Sequence, residues 1–197
     1  MYAAAVLVAA YLMGSVPTAL WVSRAIAQGD IRQMGDGNMG ARNVSRTLGV
    51  GAGVLVAVID FCKGGFAVLL AQTAGLPLGW QMAAGTSAVL GHDFPAFAGF
   101  HGGQGFASTC GVFLVLMPLE TVIGLLAFAL VYALSHHSDL SAGSGMGLTF
   151  LLWIVLGRPW LLLVYVAMMF LLIPAKTFLL DTPQRQRVQR QRQRIGH

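Results

Sequence analysis

"VGAGVLVAVIDFCKGGFAVLLAQTA", Val50 to Ala74, reads as a helix that crosses a bilayer. About 20 apolar residues in helical form span the hydrocarbon core, and this run is long enough although it holds Asp60 and Lys63. A charge in lipid is costly unless it is paired, and such residues are functional candidates. In "DFCKG" (Asp60–Gly64) the acid and the base stand three apart. That spacing puts them on one helix face, where they either neutralise each other or hold a ligand.

The rest of the chain agrees with that first span. Only 10% of the 197 residues are charged and 56% are hydrophobic, against about 25% charged in a soluble domain. The class this predicts is all-α, a polytopic membrane helix bundle. Residues 2–22 form a first span interrupted by "GSVPT", and residues 80–97 a shorter one. Residues 105–135 are too long for one crossing and split at Pro118–Glu120; residues 147–157 and 159–180 complete a set of about seven. The N-terminus lacks a basic leader and runs straight into apolar sequence, so it is expected to be a transmembrane helix rather than a cleaved signal.

Positive charge sets the expected orientation. Arg24, Arg32, Arg42 and Arg46 fall in the loop 23–49, and Arg185, Arg187, Arg190, Arg192 and Arg194 in the tail. Cytoplasmic loops collect Lys and Arg, and seven crossings put both segments inside and the N-terminus outside. Residues 1–182 are then the bundle and 183–197 an Arg-rich cytoplasmic tail against anionic lipid headgroups. No basic domain accompanies the tail, so nucleic acid is not an expected partner. Cys62 and Cys110 lie in different apolar segments without metal-ligand spacing, which supports neither a metal site nor a disulfide framework.

This topology gathers the polar, Gly-rich segments 23–49, 98–106 and 136–146 on the cytoplasmic face. In "GSVPT" (Gly14–Thr18) Gly and Pro break the helix ladder, either as a packing kink or with Ser15 facing a ligand. "GDGNMGARNVSRTLG" (Gly35–Gly49) is the strongest local signal. Gly35, Gly37 and Gly40 either make a structural turn or let backbone N–H groups converge into an anion nest. To such a nest Asn38, Asn43 and Ser45 add neutral donors, and Arg42 and Arg46, four apart and so able to share one face of a short helix, add charge. In "GHDFPAFAGFHGGQGFAS" (Gly91–Ser108), Gly102, Gly103 and Gln104 precede a helix start, where free N–H groups and the dipole favour an anion; His92 ends the span before it. "HHSDLSAGSG" (His136–Gly145) reads as a third wall of the site or an ordinary loop. No nucleophile elbow, zinc-protease or P-loop motif is present.

At these residues the chain resembles the small bacterial membrane glycerol-3-phosphate acyltransferases that use acyl phosphate as donor. Their pattern runs GSIP, IRxxGSGNxGATNxxRxxG, DxxKG and GHxFPxFxxFKGGKG. The counterparts here are "GSVP", "IRQMGDGNMGARNVSRTLG", "DFCKG" and "GHDFPAFAGFHGGQG", in the same order. The resemblance covers about residues 1–120 and implies a seven-helix bundle in the bacterial cytoplasmic membrane. It implies acyl phosphate and glycerol 3-phosphate as substrates, lysophosphatidic acid as product and no cofactor. Ser15, Gly35, Gly37, Asn38, Gly40, Arg42, Asn43, Arg46, Lys63, His92, Gly102, Gly103 and Gln104 are then the residues expected around phosphate, with no catalytic residue assigned.

The chain departs from the pattern at four positions. Asp36 stands for the Ser of GSGN, Arg42 for the Thr of GATN, and His101 and Gln104 for the two lysines of FKGGKG. The HxxN motif that follows the family's last helix is not found. Asp36 and Arg42 are a candidate compensating pair. A non-catalytic or substrate-shifted relative that binds phosphorylated lipid precursors or protein partners is the alternative, with a small transporter behind it.

Overall fold

The computed structural model describes residues 2–176, all of them in helices, short turns or connecting loops. The element order is α1 (Tyr2–Gly14), α2 (Thr18–Ala27), α3 (Ala41–Leu48), α4 (Val50–Thr73), α5 (Leu78–Asp93), α6 (Phe106–Leu116), α7 (Pro118–Ser135), α8 (Ser138–Val155) and α9 (Trp160–Lys176). Single 3-10 turns lie at Ile31–Gln33 and Ala96–Ala98. The Arg-rich tail lies outside the described residues, as do all but the first four residues of the segment searched for HxxN.

Among the described residues four stretches are long and apolar enough to cross a membrane: Tyr2–Ala27, Val50–Thr73, Pro118–Ser135 and Ser138–Val155. Their outward faces carry large exposed apolar side chains, among them Val54 and Val58 on α4, Leu126, Leu130 and Leu134 on α7, and Ile154 and Val155 on α8. Contiguous exposed apolar surface of this kind needs a nonaqueous neighbour. The fold is a helical membrane bundle and the protein is multi-pass.

Helices meet through small residues, because apolar burial drives no association between helices in lipid and close van der Waals packing must replace it. A Cβ on Gly64 of α4 would strike the Ser108 carbonyl of α6, and one on Gly111 of α6 would strike the Phe61 carbonyl of α4. Ser108 Oγ adds a hydrogen bond of 2.9 Å to the Asp60 carbonyl. Larger side chains fill one end of the bundle, where Val68, Met82, Val112, Phe113, Met117, Trp153 and Met169 form a single apolar cluster. Near the other end Ile31, Met39, Val44, Val56 and Ala98 seat the 30–43 loop and α3 on α4.

Two expectations about loops are corrected. The expected loop 23–49 begins late, since α2 runs on to Ala27; the short helix that could carry Arg42 and Arg46 is α3, eight residues long. The expected loop 136–146 is mostly helix, because α8 starts at Ser138. Its hydroxyls are absorbed locally: Ser141 Oγ donates to His137 O at 2.7 Å and Ser144 Oγ to Leu140 O at 2.9 Å. Such back-bonding lets Ser remain in a helix, and Gly145 sits close against the Gly124 carbonyl of α7. The break at Pro118 falls where the sequence places it, with Pro118 as the first residue of α7, a position that needs no N–H donor.

Candidate functional site

The helix break between α1 and α2 opens the site. Pro17 has no N–H to donate, and Lys63 Nζ donates to the Val16 carbonyl across the gap at 3.1 Å. Lys63 Nζ also lies 2.8 Å from Asp60 Oδ1, an ion pair by distance whose angle is not that of a hydrogen bond. Asp60 and Lys63 are 2% and 7% exposed, so the ammonium is held by a carboxylate and a carbonyl together. From the end of α5, His92 Nδ1 stands 3.6 Å from the same Asp60 oxygen. These three side chains line one narrow cleft with Val16, Pro17, Thr18, Met39, Pro95 and Gly103.

The loop after α5 folds back over His92. Gly103 N donates to the His92 carbonyl at 3.2 Å, and the Nε2 edge of the ring occupies the place a Cβ on Gly103 would need. Gly105, with φ +73°, then starts α6. From the far end of the chain Lys176 Nζ donates to the Gly103 carbonyl. It lies 4.0 Å from Asp93 Oδ1 and 5.3 Å from the centre of the Phe94 ring.

The 30–43 loop is organised by Asn43, which is 2% exposed. Its Nδ2 donates to the carbonyls of Met34 and Asn38, each at 3.0 Å, and its Oδ1 accepts from Asp36 N at 3.1 Å. Gly35 and Gly37 have φ of +54° and +76°, backbone that a side chain disfavours. Asp36 Oδ1 accepts from Asn38 N at 2.9 Å. Arg32 ties the loop to the other one by donating to Ala98 O at 3.2 Å. Its guanidinium bonds Asp30 and holds that carboxyl below its ordinary pKa, while Asp30 raises that of Arg32.

Lys63, His92 and Gly103 are thus brought together, beside the break at Ser15–Pro17. Ser15 is fully buried and its Oγ has no hydrogen-bond partner among the described residues. Gly102 packs on the carbonyls of His92 and Asp93, and Gln104 follows Gly103 half-buried. Asn38 is half-buried and Gly40 precedes α3. Arg42 and Arg46 are exposed, and Arg42 pairs with Asp139 of α8 at 2.6 Å. The ion pair of Arg42 is therefore with α8, a partner invisible in the local sequence. His101 is exposed, with Nδ1 2.6 Å from the Gly99 carbonyl. Sequence reasoning left Asp60 out of the site and missed Asp93 and Lys176. For Lys176 the only signal was a cation ending an apolar run.

Residues 4–178 match the profile of the family described as glycerol-3-phosphate acyltransferase. The chain is 45% identical over 156 residues to glycerol-3-phosphate acyltransferase 1 of Deinococcus radiodurans, covering 78% of this chain and 77% of that protein. It is 38% identical to glycerol-3-phosphate acyltransferase of Listeria monocytogenes over 83% of each. Its fold matches the crystal structure of PlsY, an integral membrane glycerol 3-phosphate acyltransferase, in its glycerol 3-phosphate form. That match has a TM-score of 0.80 and 30% identity, covering 96% of this chain and 94% of the other. The lysophosphatidic acid form of the same protein matches with the same TM-score at 29% identity.

Proposed function

The chain belongs to the glycerol-3-phosphate acyltransferase family, and on that premise we propose that it moves a fatty acyl group from acyl phosphate to glycerol 3-phosphate. The products are lysophosphatidic acid and inorganic phosphate. The acceptor hydroxyl oxygen attacks the acyl carbon, the new ester C–O bond forms, and the C–O bond to phosphate breaks. The donor is already activated, so the protein's work is to hold two anions together and stabilise the charge that leaves.

One observation carries this reading: the cleft where Lys63, His92 and Gly103 converge at the break in the first span. Lys63, seated between Asp60 and the Val16 carbonyl, faces the reacting phosphate. His92, with Nδ1 toward Asp60 and Nε2 packed against Gly103 at the cleft, is the group placed to take the hydroxyl proton, a role that demands hydrogen-bond reach to the substrate. The Gly35–Asn38 turn and Arg46 bind the acceptor's phosphate, Asn43 shaping the turn. Ser15, Gly40, Gly102 and Gln104 complete the phosphate-facing wall, whereas Arg42 is engaged by Asp139 of α8.

The topology belongs to the same proposal. The four long spans with α5, α6 and α9 make seven crossings. An outside N-terminus then puts the site and residues 183–197 at the cytoplasmic face of the bacterial membrane. The test is the purified full chain in lipid vesicles, given acyl phosphate and glycerol 3-phosphate. Phosphate release in step with lysophosphatidate supports the reading; release without the ester, or neither product, overturns it.

A further inference from the structure

The Gly102–Gln104 turn meets the phosphate in this reading, yet residues 94–108 contain neither Lys nor Arg. A cation reaches the turn from another helix. Lys176, in the last turn of α9, is 7% exposed and donates to the Gly103 carbonyl. Its surroundings suit a fixed positive charge: Asp93 Oδ1 is 4.0 Å away and the Phe94 ring lies beneath it at 5.3 Å. A lysine buried this far is unusual unless paired, and pairing with Asp93 alone would not require it to reach a carbonyl of the glycine turn.

The bonded carbonyl belongs to the peptide unit that ends in the Gln104 N–H. A charge-assisted bond to the oxygen of an amide polarises that amide, and hydrogen bonds in series strengthen one another. The Gln104 N–H donates to no acceptor among the described residues. Gly103 is meanwhile clamped on its other side by its own N–H to His92 O.

We propose that Lys176 is a positioning residue for the acyl transfer: through Gly103 it polarises and fixes the turn that holds the phosphate of the acyl donor as that phosphate departs. The inference rests on the acyltransferase reading and adds a residue to it. It also supplies a reason why His101 and Gln104 suffice where the resembling pattern has lysines, since the charge arrives from α9 instead.

The test compares wild type, Lys176→Met, Lys176→Arg and the double change Gln104→Lys with Lys176→Met, each as full chain in the same vesicles. Lys176→Met should lower kcat about tenfold to hundredfold, the scale of a lost charged hydrogen bond, with KM for glycerol 3-phosphate within about threefold. Lys176→Arg should keep most of the turnover. A lysine placed at residue 104 should restore much of what Lys176→Met loses, which a merely structural lysine would not allow. Unchanged kcat in Lys176→Met overturns the inference and leaves the acyltransferase reading standing. So does a loss that neither the arginine nor the relocated lysine repairs, including a loss through misfolding. A wild type without turnover removes the reading itself and this inference with it.

Discussion

Lys63 Nζ donates to the carbonyl oxygen of Val16 at 3.1 Å, so the cation of the second long span closes the backbone gap in the first. One side chain thereby satisfies a helix break and faces the cleft. Removing it leaves the buried Asp60 carboxylate without its cation, although the Val16 carbonyl keeps its bond from Thr18 N at 3.0 Å, and breaking a buried pair costs about 3–5 kcal/mol. Lys63→Met should fold poorly. The double change Asp60→Asn with Lys63→Met should recover thermal stability in detergent while turnover stays absent. Recovery of both would show that Lys63 is only a structural prop.

Asn43 bonds the backbone of its loop at Met34, Asn38 and Asp36, with a longer contact to the Ile31 carbonyl at 3.5 Å. Asn43→Ala leaves the Asn38 carbonyl and the Asp36 N–H unsatisfied, at about 1–3 kcal/mol each when water cannot reach them, while the Met34 carbonyl keeps its bond from Gly37 N. Thermal unfolding should fall by several degrees and glycerol 3-phosphate binding should weaken. Asn43→Asp should behave nearly as badly, since a carboxylate cannot donate to the two carbonyls. Unfolding curves for the two variants, taken beside wild type, check the ranking.

Arg42 and Arg46 are four apart on α3 but differently engaged. Arg42 is paired with Asp139 at 2.6 Å in an exposed setting, and such pairs are worth about 0.2–1 kcal/mol. Arg42→Ala should change substrate affinity less than about threefold. Arg46 matches the arginine of the resembling pattern, and Arg46→Ala should weaken glycerol 3-phosphate binding about tenfold to hundredfold if it contacts phosphate. Equal, small effects measured by titration would remove Arg46 from the site.

Asp30 predicts a pH response. Its pKa is lowered in the folded protein, first by the hydrogen bond from Arg32. A depressed carboxyl pKa contributes stability above its unfolded value, near 3.8, and loses it as pH falls through the folded value. Wild type should exceed Asp30→Asn by a constant margin at neutral pH, and the margin should close below about pH 4. The pair is part-exposed, so the margin should stay under about 1 kcal/mol. A margin that grows on acidification would contradict the assignment.

How much of this was legible in the chain depends on the range of the interaction. The long apolar runs, the break at Pro118 and the kink at Pro17 were visible because hydropathy, missing N–H donors and ring sterics act within a few neighbouring residues. The glycine turn at Gly35–Gly37 and the Asp60–Lys63 pair at helical spacing were visible for the same reason. The helical start of α8 was not, since its small and hydroxylated residues look like loop until α7 packs against Gly145 and the hydroxyls bond back into the helix.

By itself the sequence determined an all-α membrane chain, its polar Gly-rich segments, and the family whose motifs they follow. Only the tertiary structure decided which groups meet. Lys63 reaches Val16 and Lys176 reaches Gly103 across 47 and 73 residues of chain, and Arg42 turns away to Asp139 on α8. The physical reason is that a charge inside a membrane bundle must find a partner wherever packing brings one near. That partner is selected by the crossing of helices in space, a property no local stretch of residues encodes.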